Sequence, residues 1–298
     1  MTRPQTTRDF TLLLTLSMIW GSSFALIKVA VGTVPPFTLA TGRVAVAAAV
    51  LLILQRLLNQ PMPGDLKRWG QFAAVGLLGN AAPFVLIGYG ELKVDSGLAA
   101  ILIGAMPVFT VLFAHLFRVE RGLGWHKMLG VGCGLAGLVV LVGPATLEQL
   151  ANERFAHLAL VAAAASYAAT AVYARHLTQT IPTVVLASGT MVASTVLTLP
   201  LALMIDAPWT LAPAAGAVAA TFALGLFATA LASLIYFRLL ASAGPTFASM
   251  INYLIPAFGV LLGVVWLGER VELNELAALG LILAGVALAR TPPAPQSS

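Results

Sequence analysis

The stretch 105–122, AMPVFTVLFAHLFRVERG, returns 149 residues later as 254–271, LIPAFGVLLGVVWLGERV. Pro107 falls on Pro256, and Glu120-Arg121 falls on Glu269-Arg270. A shift of 147 extends the match: Trp20 aligns with Tyr167, Lys28 with Arg175, and Ala40-Thr41-Gly42 with Ala187-Ser188-Gly189. The 298 residues therefore read as one unit written twice.

Hydrophobic residues make up 59% of the chain and charged residues 9%, against about a quarter charged in soluble domains. Runs of about 20 apolar residues, long enough at ~1.5 Å per residue to cross a hydrocarbon core of ~30 Å, recur from end to end. Bounded by turn and charge signals, they predict helices over 10–31, 37–57, 69–90, 96–117 and 124–143, then over 156–177, 182–205, 213–239, 246–267 and 273–290. Thr146 to Gln149 reads as a capping box for a short bridging helix. The fold class expected is an all-α integral membrane protein, ten spans in two five-helix repeats covering 10–143 and 156–290. Five is odd, so the second copy enters the bilayer from the opposite face and the repeat is inverted. The tail TPPAPQSS has nothing to bury and is expected to be disordered.

Sorting Lys and Arg by alternate loops puts eleven on the side of the N-terminus and only Lys93, Arg154 and Arg270 on the other, with Lys28 and Arg43 inside spans. Positive charge stays inside, so both termini are expected in the cytoplasm. The net charge of +5 is thus topological and gives no reason to expect nucleic acid. The lone Cys133 excludes an intrachain disulfide or a thiolate cluster. No phosphate-binding glycine loop occurs, and the four histidines lie in separate segments, so no ATP drive, metal, cofactor or catalytic set is expected.

Tandem five-helix units, WGSSF at 20–24, a mid-helix proline in the fourth and ninth spans, and Glu-Arg before a glycine-rich helix resemble the EamA family of the drug/metabolite transporter superfamily. The resemblance implies a ten-helix transporter, often an exporter of amino acids or other small metabolites, with a central cavity between the halves. Departures occur: Tyr167 and alanines stand in the second copy where the first has Trp20 and serines. The partners expected are a small-molecule substrate and the bilayer, with the chain a monomer and a dimer the alternative. A sugar-phosphate or nucleotide-sugar exchanger and an intramembrane enzyme are the rival readings.

Candidate substrate contacts are Trp20, Ser23, Asn80, Tyr167, Thr229, Ser233, Asn252 and Tyr253, polar or aromatic groups inside predicted spans. Each has a plainer reading, as core aromatic or as helix-packing hydroxyl. Candidate gating residues are Lys28 and Arg175 at opposite mouths, Tyr89 and Tyr236 near span ends, and the prolines Pro107 and Pro256. Lys28 can equally snorkel to water. Arg43 lies deeper and needs an acceptor, for which carbonyls, water or an anionic substrate are open. Gly130 with Gly134, and Gly280 with Ala284, read as helix-packing faces. All eleven acidic residues fall at predicted ends or in loops, which favours facilitated diffusion over ion coupling.

Overall fold

The computed structural model describes residues 6–117, 125–142, 144–174, 177, 180–236, 238–239, 242 and 251–289, without the side chains of 126–127, 138, 141–142, 144–153, 253, 286 and 289. Every regular element among the described residues is helical. In chain order these are α1 (Thr7–Val31), α2 (Pro36–Leu57), α3 (Leu66–Glu91), α4 (Ser96–Leu116), α5 (Trp125–Val142), α6 (Pro144–Ala174), α7 (Thr183–Asp206), α8 (Ala215–Tyr236), α9 (Ile251–Leu267) and α10 (Leu273–Ala289). Seven of them carry a stretch long and apolar enough to cross a membrane, and α5, α9 and α10 hold shorter apolar stretches. Leu203, Met204, Val265 and Trp266 stand exposed, as suits a bundle whose outer solvent is hydrocarbon.

Local chemistry sets the ends. Thr6 accepts from the Asp9 amide while the Asp9 carboxylate accepts from the Thr6 amide, a capping box that opens α1. Pro36 starts α2, where a missing N–H costs nothing. The Thr38 amide there donates to Asp206 Oδ2 at 2.6 Å, so the end of α7 caps the start of α2. Asp65 accepts from the Arg68 amide at 2.8 Å and opens α3. Gly268, at φ 70°, turns the chain after α9 in a conformation that disfavours any side chain.

Three helices contain π turns, at Leu77–Ala81 in α3, Ala202–Asp206 in α7 and Leu224–Leu231 in α8. A π turn shifts the hydrogen-bond ladder by one residue and leaves a carbonyl for another donor. Both α3 and α8 use this. Leu78 O accepts from Ser166 Oγ of α6 at 2.7 Å, and Ala228 O accepts from Trp20 Nε1 of α1 at 3.1 Å.

Contacts between the two halves come in matched sets. The helices α2, α4 and α5 pack on α7, α9 and α10; α1 packs on α8 and α9 where α6 packs on α3 and α4; α2 meets α8 where α7 meets α3. Glycines allow the closest approaches. A Cβ added to Gly104 would lie 2.6 Å from Pro256 Cγ, and one added to Gly21 would lie 2.5 Å from Phe258 Cβ.

Several expectations need correction. Residues 144–174 form one continuous helix, so Thr146 lies inside it and no separate bridging helix begins there. The prolines at equivalent positions act differently: α4 breaks at Gly104-Ala105 just before Pro107, whereas α9 runs unbroken through Pro256. Gly130 and Gly134 do pack on α10, but their partner is Gly285, since a Cβ on Gly280 would meet open space. Glu91 ends α3 as expected, yet its side chain is completely buried.

Candidate functional site

Arg43 lies two turns into α2, about 10 Å along the axis, on a face covered by neighbouring helices and 6% exposed. Its Nε donates to Thr229 Oγ1 at 2.8 Å, and that hydroxyl donates in turn to Leu224 O at 2.9 Å. This is how the π turn of α8 aims an acceptor at α2. The guanidinium carbon stands 3.7 Å from the centroid of the Phe84 ring on α3, close enough for a cation–π contact. The Nη groups meet no acceptor among the described residues, and Tyr167 of α6 lies within electrostatic reach. Three Arg43 neighbours thus come from α3, α6 and α8. A buried guanidinium held through Nε keeps its planar Nη donors for other partners, a geometry suited to a planar anion such as a carboxylate.

Trp20 is tied more tightly than a free cavity wall. Its N–H bonds Ala228 O, and its ring lies 5.7 Å from that of Tyr236. Ser233 Oγ donates to Thr229 O at 2.6 Å, so Trp20, Thr229, Ser233 and Tyr236 form one cluster on the α1–α8 seam. Ser23 Oγ bonds Trp20 O within its own helix at 2.6 Å and offers no free proton donor. Asn80 sits in the π turn of α3, with its side-chain amide half-buried. Asn252 is half-buried on α9, whereas the side chain of Tyr253 and the whole of Arg175 lie outside the described residues, as do Glu120 and Arg121.

A second group gathers at the far end of α1 and α3. Lys28 does not snorkel freely: its ammonium donates to Glu91 O at 3.0 Å and Val94 O at 2.7 Å, and lies 4.0 Å from Asp95 Oδ1. It therefore caps the C-terminus of α3, where orphan carbonyls attract a cation. Tyr89 stacks edge-on against Phe37 and Phe155, each at 6.0 Å. Glu269 reaches across the halves to accept from the Ser96 amide at 2.8 Å, Ser96 Oγ at 2.9 Å and the Gly97 amide at 3.0 Å, capping α4. These bonds are long-range, spanning 172 or 173 residues of chain.

The sequence singled out Arg43 by depth but not as a site residue, and Phe84 and Ser166 gave no signal at all. A surface cavity of about 390 Å³ lies elsewhere, lined by residues that include Asn59, Gln60, Arg68 and Ile181. Among the described residues no group of His, Cys, Asp and Glu could hold a metal ion.

A bundle of long apolar helices crossed by buried polar contacts is the architecture of a polytopic membrane carrier. The sequence pattern of the EamA-like transporter family matches residues 9–143 and 154–291, and the chain belongs to that family. It is a membrane transporter. Over 282 residues it is 29% identical to "Uncharacterized inner membrane transporter YedA" of Escherichia coli (strain K12), covering 94% of this chain and 89% of the relative. Over 273 residues it is 29% identical to "Probable terminal-alkyne amino-acid exporter" of Streptantibioticus cattleyicolor, covering 90% and 89%. A solved structure described as "Crystal structure of protein" superposes with a TM-score of 0.67 at 22% identity, over 96% of this chain and 98% of that one, a likeness of fold.

Proposed function

We propose that this protein exports amino acids or similar small metabolites across the bacterial inner membrane by alternating access. Ten spans form two inverted repeats, 10–143 and 156–290, with both termini cytoplasmic and a single chain as the transport unit. The matched cross-half contacts support the inverted repeat: each contact of α1, α2 or α3 with the second half has a counterpart made by α6, α7 or α8. An offset of 149 also relates Asn80 to Thr229, and both lie in π turns whose neighbouring carbonyls accept from the opposite half. Two such packings of near-equal energy are what a carrier exchanges.

The observation that carries the reading is Arg43. A guanidinium buried between the halves and fixed through Nε, whose Nη groups meet no acceptor among the described residues, can take the carboxylate of a substrate that bridges them. The relative whose name includes an amino-acid exporter supports the same class. Lys28, Tyr89, Pro107, Arg175, Tyr236 and Pro256 are the gating candidates. Trp20, Ser23, Asn80, Tyr167, Thr229, Ser233, Asn252 and Tyr253 border the path.

Purified protein in liposomes loaded with unlabelled amino acids tests this by counterflow. Saturable uptake of labelled amino acid against its own gradient is expected. Conductance without counterflow would indicate a channel, and flux of sugar phosphates alone would replace the substrate class.

A further inference from the structure

We propose that Glu91 is a proton-binding site, protonated while α1 is latched onto the end of α3 and deprotonated when that mouth opens. Glu91 is 0% exposed, and neither carboxyl oxygen has a hydrogen-bond partner among the described residues. Its main-chain carbonyl is engaged: Glu91 O, together with Val94 O, holds the Lys28 ammonium. Lys28 therefore spends its ammonium on carbonyls and not on the carboxylate.

The surrounding elements carry few other charges. From α1 comes Lys28. From α2 comes Arg43, committed at Nε to Thr229 and over its face to Phe84. From α6 come Tyr167 and the buried His157, beside Leu160, which packs on Gly90. Asp95 precedes α4 and faces Lys28, and Glu269, after α9, is held by the amides of Ser96 and Gly97. Lys93, in the same turn, completes the set. None of them donates a hydrogen bond to the Glu91 side chain.

An ion buried without donors is far costlier than a neutral acid in the same place. The latched arrangement thus binds the proton. When α1 swings off α3, the Lys28 ammonium leaves the two carbonyls and water reaches Glu91; the proton departs to that water, which then solvates the carboxylate. Linkage fixes the sign: the latched state binds one more proton, so raising pH favours the open one, by up to about tenfold in population per pH unit for a single proton. Substrate that passes this mouth does so with exchange of a proton on that side. The mouth itself belongs to the alternating-access reading, but the proton site can be tested without any substrate.

Two measurements on the full chain in nanodiscs decide it. Infrared difference spectra between wild type and Glu91→Gln at neutral pH should show a protonated-carboxyl band in the wild type that the variant lacks. Spin labels at Gly32→Cys and Leu92→Cys, in a background with Cys133 replaced by Ala, should report a longer distance as pH rises. With Glu91→Gln, a permanently neutral isostere, the distance should stay short at every pH. A wild type without the band, or a distance indifferent to pH in the wild type, overturns the proposal. Failure of amino-acid counterflow would instead overturn the substrate class and leave this result standing.

Discussion

Arg43 Nε lies 2.8 Å from Thr229 Oγ1, and 186 residues separate the two. The bond joins α2 of the first half to the π turn of α8 in the second. It places a charge where the halves meet, so any relative motion of the halves must either carry this contact or break it. A charge in a membrane interior is expensive enough to imply a task.

Arg43→Ala should therefore weaken transport of carboxylate substrates more than it weakens the fold. Hydrogen bonds to charged groups are worth about 1.5–3 kcal/mol, which is roughly ten- to a hundredfold in half-saturation. Counterflow titrations read this directly. Arg43→Lys should recover part of the loss, because it restores charge without the planar fork. Thr229→Val should cost only a few-fold, since it frees the guanidinium without removing it.

Trp20→Phe keeps most of the ring but deletes the donor to Ala228 O. A buried carbonyl left without its partner costs about 1–3 kcal/mol, so thermal unfolding in detergent should shift down by a matching amount. Trp20→Ala adds a cavity and should cost more, on the order of 3–5 kcal/mol. The alanine variant therefore mixes an effect on flux with an effect on folding. The indole bond to α8 makes the phenylalanine variant the better one, with stability measured beside transport.

Much of the architecture was readable because hydropathy and loop charge report directly on what lipid allows. Helix ends fall close to the ends of the apolar runs at Val31 and Leu57, although α6 begins at Pro144, twelve residues before its run. The site was less readable. Asn80 and Thr229 stand out as polar residues in apolar spans, but no composition signals that both sit in π turns, because the ladder shift is a tertiary choice. Pro107 and Pro256 look alike in sequence. Only Pro107 follows a break, and the difference lies three residues upstream, where Gly104 tolerates a turn that Tyr253 in the second copy resists. The burial of Glu91 was not readable, because a position at a helix end does not say what covers it. Here Lys28, the 92–95 turn and Leu160 of α6 close over that end.

Glu269 is expected to be structural. It satisfies two amides and a hydroxyl at the start of α4 from the other half of the chain. Glu269→Ala leaves those donors unpaired in a half-buried place, for a loss of about 1–3 kcal/mol. Glu269→Gln keeps an acceptor but loses the charge that favours a helix N-terminus, so its cost should be smaller. Unfolding temperatures of the three proteins should order accordingly, with wild type highest. Equal temperatures would show that the α4 cap contributes nothing to stability.

Glycine substitutions separate packing from composition. Gly104→Ala would place a methyl 2.6 Å from Pro256 Cγ, where neither a helix start nor a proline ring can retreat. Overpacking of this kind costs about 1–3 kcal/mol, and it falls on the α4–α9 crossing that carries both mid-helix prolines. Gly280→Ala meets nothing within 4 Å and removes only backbone freedom, so it should be neutral or stabilising by up to about 1 kcal/mol. The sequence pattern treats Gly280 as a packing position and is silent on Gly104. Thermal unfolding of the two variants decides between pattern and geometry: a fall for Gly104→Ala with none for Gly280→Ala supports the crossing described here, and the reverse order would refute it.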